Sequence, residues 1–81
     1  MNNYLVSALL PFIEEDEIAY YSSLDEDVLL RLIALSPFVN SSEQLQLLSK
    51  LNVEKLDEVA EKIPQMEENK IWDYLRRVAE E

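Results

Sequence analysis

Apolar positions along the chain recur mostly at three- and four-residue spacing, the signature of helices that each bury one stripe. The first apolar segment, Tyr4 to Leu10, has almost no polar face and could be capped by Asn2 or Asn3. Pro11 suits the first turn of a second helix running through Phe12, Ile13, Ile18 and Tyr21, with Glu14 to Glu17 placed early. Ser23-x-x-Glu26 has the capping-box pattern, ahead of Val28, Leu29, Leu30, Leu32, Ile33 and Leu35. That apolar set wraps most of a helix and predicts the central one. Pro37 is expected to force Ser36 out of helical dihedrals, and Ser41-x-x-Gln44 offers a second capping box for a helix over Ser42 to Leu51.

Asn52 is the break before Val53, Leu56, Val59, Ala60 and Ile63, a helix that Pro64 stops. Met66, Ile71, Trp72, Leu75, Val78 and Ala79 outline the last helix, on whose wet side Asp73 can pair with Arg76 or Arg77. Leu29, Leu32, Ile33, Leu48, Leu56, Val59, Trp72 and Leu75 are the expected core, with Tyr74 outside. Thr is absent and no segment alternates cleanly in period two, so strands are not expected. The pattern predicts an all-α chain, one domain over residues 1–81, folded as a small bundle of four or five short helices. No stretch reads as a repeat of fixed period, so a solenoid is not expected.

Composition narrows the chemistry. The 81 residues include no Gly, no Cys and no His. Zinc sites, thiolate nucleophiles and imidazole acid–base catalysis therefore have no residues to use, and glycine-dependent phosphate loops cannot form. No cofactor is expected. The apolar run Tyr4 to Ile13 is interrupted by Pro11 and falls short of the roughly 20 residues of a membrane span. No basic segment precedes it as in a secretory signal. The expectation is a cytoplasmic protein with no membrane contact. That run is also too apolar for a few helices to cover, which makes it a candidate homodimer contact.

Charge changes the picture most. Formal net charge is −10, from 17 acidic and 7 basic residues. Through Leu30 the chain holds Glu14, Glu15, Asp16, Glu17, Asp25, Glu26 and Asp27, and Arg31 is its first cation. Acids in the first turn of a helix stabilise it by about 0.3 to 1 kcal/mol each, which accounts for where each cluster sits. It does not account for thirty residues without a compensating base, since self-repulsion opposes the compact state.

Tyr20 and Tyr21 lie between the clusters, one of them expected to face outward as an interface residue. Calcium is disfavoured, because neither cluster has the alternating ligand spacing and turn glycine of an EF-hand. Paired carboxylates can hydrolyse glycosides, but only around a sugar-sized pocket that so small a helical core rarely supplies. A helix-turn-helix around Asn52 would set four acids and two lysines, in Val53 to Ile63, against DNA. The residues therefore point to a non-catalytic module that binds a larger protein with a basic surface and makes no direct contact with nucleic acid. Its sharper form is an acidic decoy or inhibitor, a nucleic-acid mimic of the kind used in phage anti-defence and toxin-immunity systems. The candidate partner-binding residues are Glu14, Glu15, Asp16, Glu17, Tyr20, Tyr21, Asp25, Glu26 and Asp27. The alternative is a helical adaptor or small structural subunit whose charge serves solubility.

Overall fold

The computed structural model describes residues 3–80 and, among them, is all-helical without strands. Six α-helices follow one another: α1 Asn3–Leu9, α2 Ile18–Ser22, α3 Glu26–Leu35, α4 Ser42–Ser49, α5 Val53–Lys62 and α6 Ile71–Glu80. The count exceeds the expected four or five because both short N-terminal segments become helices of their own. The cap expected from Asn2 or Asn3 lies outside the described residues and, for Asn3, outside the described side chains.

The six helices form three pairs. In each pair the first helix runs into a 3-10 turn with proline at its second position: Leu10–Phe12, Ser36–Phe38 and Ile63–Gln65. One extended apolar residue follows each turn, Ile13, Val39 or Met66, and then a polar stretch opens the second helix. Proline fits here because the tighter turn leaves its missing N–H without consequence and its fixed φ suits helical geometry. Ser36 therefore keeps helical dihedrals (φ −55°, ψ −35°) rather than leaving them, and its hydroxyl donates to the Ile33 carbonyl at 2.8 Å. Pro11 likewise closes α1 instead of opening α2, which begins only after extended Ile13 and Glu14.

Val6, Leu32 and Val59 are buried at equivalent places, each five residues before its proline. The first helices pack side by side, α1 on α3 and α3 on α5, while α4 packs on α6 in the second layer. Neighbouring helices sit about 8–10 Å apart, so three in a row account for a longest dimension of 32 Å. The order of elements and the places of buried residues thus recur in three helix pairs, a regularity that the sequence alone does not announce because the pairs share positions rather than residues. α3 is the central helix, as its apolar breadth predicts: it touches α1, α4 and α5.

Local caps differ from expectation at two places. Ser23 does not open α3; its hydroxyl donates to the Tyr20 carbonyl at 2.6 Å and closes α2, and extended Asp25 precedes α3 instead. Ser41 accepts from the Gln44 N–H at 3.3 Å, but the buried Gln44 side chain reaches one residue further back, to the Asn40 N–H at 2.6 Å. Asn52 caps α5 as expected, its Oδ1 accepting from the Lys55 N–H at 2.9 Å.

Of the expected core, Leu29, Leu32, Leu48, Leu56, Val59 and Leu75 are buried, whereas Ile33 and Trp72 are half-buried. Ile71, Tyr74, Leu75 and Val78 form the inward stripe of α6, with Tyr74 buried rather than exposed. Trp72 lies on the flank of that stripe, where Arg76 stacks over its ring at 5.0 Å. Asp73 forms no ion pair with Arg76 or Arg77 among the described residues. Replacing Leu32 or Leu56 with Ala is expected to cost about 2–5 kcal/mol in urea denaturation. Leu30→Ala, on the outer face of the same helix as Leu32, is expected to cost less than about 0.5 kcal/mol.

Candidate functional site

The acidic residues sit at the two ends of α2. Upstream, Glu15–Glu17 form a 3-10 turn that runs directly into the helix. The Glu17 carboxylate accepts from the Glu14 N–H at 2.8 Å, while the Glu17 N–H bonds back to the Glu14 carbonyl at 2.9 Å. Glu17 thus has a local structural duty, and it is the half-buried member of its group; Glu14, Glu15 and Asp16 are exposed. Downstream, the turn after α2 closes through Ser23 and Leu24 N–H groups onto Tyr20 and Tyr21 carbonyls. Asp25, Glu26 and Asp27 follow, all exposed, the last two in the first turn of α3, where the helix dipole favours them.

None of these seven carboxylates is paired with a Lys or Arg among the described residues. Arg31, the first cation, is committed elsewhere. Its Nε donates to Asp57 Oδ1 at 2.7 Å, linking α3 to α5, and its Nη1 donates to the backbone carbonyl of Asp27 at 2.9 Å. The Asp57 hydrogen bond raises the guanidinium further above its ordinary value. The other ion pairs, Lys62 with Glu58 and Lys70 with Glu67, lie in the third helix pair and its connecting turns. No three carboxylates among the described residues gather closely enough to hold a metal ion. The arrangement is a spread of charge suited to a surface.

The two tyrosines divide sharply. Tyr20 is 37 % exposed, and its hydroxyl hydrogen-bonds Ser49 Oγ at 2.8 Å, tying α2 to the end of α4. Tyr21 is fully buried and cannot belong to an exposed recognition face, contrary to the expectation that includes it. The reason is geometric: consecutive helix residues point about 100° apart, and Tyr21 takes the inward place. The rings meet edge to face, with centroids 5.1 Å apart.

Burial raises the Tyr21 phenol well above its ordinary pKa, and the nearby negative charge of Glu17 adds to the effect. Ser49 opposes it, but its hydroxyl is already engaged by Tyr20 and the Gln46 carbonyl, and the Tyr21 hydroxyl is buried without a hydrogen-bond partner.

A feature that sequence reasoning missed lies beside the acidic turn. Val6, Ser7 and Leu10 of the first helix and its turn face Ile18 and Ser22 of α2 across a groove of about 170 Å³. The apolar run Tyr4 to Ile13 is therefore only partly covered: Leu5, Val6 and Leu9 are buried, while Tyr4 (68 %) and Leu10 (47 %) face outward. The available signal was Ser22, which stands where the later pairs carry Leu48 and Leu75.

The chain matches no protein-family model, no curated protein and no solved structure. No helix among the described residues is long and apolar enough to cross a membrane.

Because the folded chain holds Tyr21 protonated to higher pH than the unfolded chain does, the unfolded state releases that proton first as pH rises. Stability is expected to be steady near neutrality and to fall above about pH 10, the ordinary tyrosine value. Tyr21→Phe should leave stability at pH 7 within about 1 kcal/mol of the parent, since the hydroxyl makes no bond to lose. It should also flatten the alkaline decline, and denaturant titrations at pH 7 and above pH 10 measure both effects.

Proposed function

We propose that this chain is a non-catalytic protein-binding module that covers a basic surface of a larger partner with the acidic residues around α2, acting as a decoy or inhibitor. One observation carries the reading: seven carboxylates flank a single short helix without an ion-pair partner among the described residues, while Arg31, the first cation of the chain, is bound to Asp57. Self-repulsion of this kind weakens the free protein and is relieved when a positive surface approaches. Such a face draws a basic partner from solution and speeds its association, and by the same field it repels nucleic acid. A site that ordinarily receives phosphates is the natural target of spaced carboxylates. Glu14, Glu15, Asp16, Asp25, Glu26 and Asp27 are the exposed contacts in this reading, with Glu17 shaping the turn and Tyr20 at the rim.

A second reading, a helical adaptor docked through α1, draws its support from exposed Tyr4 and Leu10. It predicts binding that hardly responds to salt. The two separate in one experiment on the partner captured from lysate of the source cells and then purified. Glu14→Gln, Glu15→Gln and Glu17→Gln together retain an oxygen at position 17 to accept from the Glu14 N–H, so the melting temperature should change little. Charge recognition predicts an affinity for that partner lower by about tenfold or more at low salt, slower association and a shallower salt dependence. Affinity and salt dependence that both survive, here and in Asp25→Asn, Glu26→Gln and Asp27→Asn, would leave the adaptor.

A further inference from the structure

The three helix pairs are built on one plan, but the seam between the two helices of a pair is filled differently in each. Positions equivalent to Val6, Leu10, Ile18 and Ser22 are Leu32, Ser36, Gln44 and Leu48 in the second pair, and Val59, Ile63, Ile71 and Leu75 in the third. All eight of these later residues are buried. In the first pair Leu10 stays 47 % exposed, and the small Ser22 leaves the groove of about 170 Å³ unfilled. The first pair is also the end of the stack, where no preceding pair lies against it among the described residues.

The surroundings of the groove indicate what that helix is like. Ile18 and Ser22, which form one wall, belong to the helix that Glu15–Glu17 lead into, and exposed Glu14, Glu15 and Asp16 form no ion pair among the described residues. We infer that the α1–α2 groove receives an amphipathic, basic helix of a partner protein: one or two large apolar side chains enter between Leu10 and Ser22, and flanking Lys or Arg residues meet Glu14, Glu15 and Asp16. This rests on the reading of the α2 carboxylates as a recognition face and adds to it the apolar anchor and the helical form of the ligand. Charge brings the partner in and fixes its direction, while the apolar insertion supplies a desolvated contact that holds it. The groove is a helix-in-groove site of the kind that reads anchors one helical turn apart.

The test uses the full chain, isotope-labelled, and a synthetic helix-forming peptide with Leu at one face and Lys on the others. A second peptide of identical composition, with the Leu residues dispersed around the helix, serves as comparison. The first peptide is expected to bind at least roughly tenfold more tightly and to shift the amide resonances of Ser7, Leu10, Ile18 and Ser22 while leaving α5 and α6 unmoved. Ser22→Leu, which copies the later pairs and should melt at or above the parent temperature, is expected to lower affinity by about tenfold or more. Leu10→Gln, at an exposed position, should do the same with the fold retained.

Equal binding of both peptides, shifts confined to other helices, or unchanged affinity in both groove variants would overturn the inference. Loss of binding in Glu14→Gln, Glu15→Gln, Asp16→Asn with none in the groove variants overturns the groove but keeps the charge reading. Loss in the groove variants alone overturns the basic character of the ligand and the charge reading beneath it. A concentration-dependent dimer in sedimentation whose formation Ser22→Leu abolishes would make a second copy of the chain the occupant, and would overturn the proposal as well.

Discussion

This chain lacks the glycine that ordinarily ends helices in the left-handed conformation, and no described residue has positive φ, so it turns by other means. Here the solution is a proline at the second position of a 3-10 turn, used three times. The turn tightens the end of the first helix, the following residue extends, and the chain is returned for a second helix. In the second and third pairs the extended residue locks the turn: Val39 N–H bonds the Ser36 carbonyl at 3.3 Å, and Met66 N–H bonds the Ile63 carbonyl at 3.0 Å. Everything above this level, the pairing, the stack and the placing of the acidic residues, depends on those returns.

The first pair is made on the same plan with less material. No equivalent bond from Ile13 closes its turn among the described residues, α2 has five residues against eight in α4 and ten in α6, and Ser22 replaces a leucine in the seam. Its attachments to the rest include the burial of Leu5, Val6, Leu9 and Tyr21, the packing of Phe12, Ile13 and Ile18 against the core, and the hydrogen bond between Tyr20 and Ser49. This same pair holds Glu14, Glu15, Asp16 and Glu17 and no Lys or Arg, and Asp25, Glu26 and Asp27 follow at the start of α3. The pair with the shortest second helix is thus also the one whose acids have no base within it, and it leaves an apolar groove open.

Much of this was legible in the sequence, and the failures have physical causes. The helical class followed from spacing and from missing strand signals, and the central role of α3 followed from Leu29, Leu32 and Leu35. Asn52 was readable as a cap because it is the only break between two apolar helical runs, where its side-chain oxygen meets the free N–H groups of the next helix. Ser23 was misread because the same hydroxyl can close one helix as readily as open another. Trp72 and Tyr74 exchanged places because residues two apart on a helix point to roughly opposite sides, so only one of them can face the core, and the stripe of Ile71, Leu75 and Val78 decides for Tyr74. The repeat escaped notice because equivalent positions hold Ile18, Gln44 and Ile71, or Ser22, Leu48 and Leu75, which share place and burial more than chemistry. At the candidate site the carboxylates were readable as a run without bases, whereas the burial of Tyr21 and the groove needed the helices to be placed in space.

Native-state amide hydrogen exchange tests the central claim, that three equivalent pairs form a stack whose first member is open. In a stack with nearest-neighbour coupling the middle pair is held from both sides, so α3 and α4 amides should exchange most slowly, at the rate set by global unfolding. Those of α1 and α2 should open at lower free energy as a unit. Uniform protection across all six helices, or the slowest exchange in α1 and α2, would contradict the account.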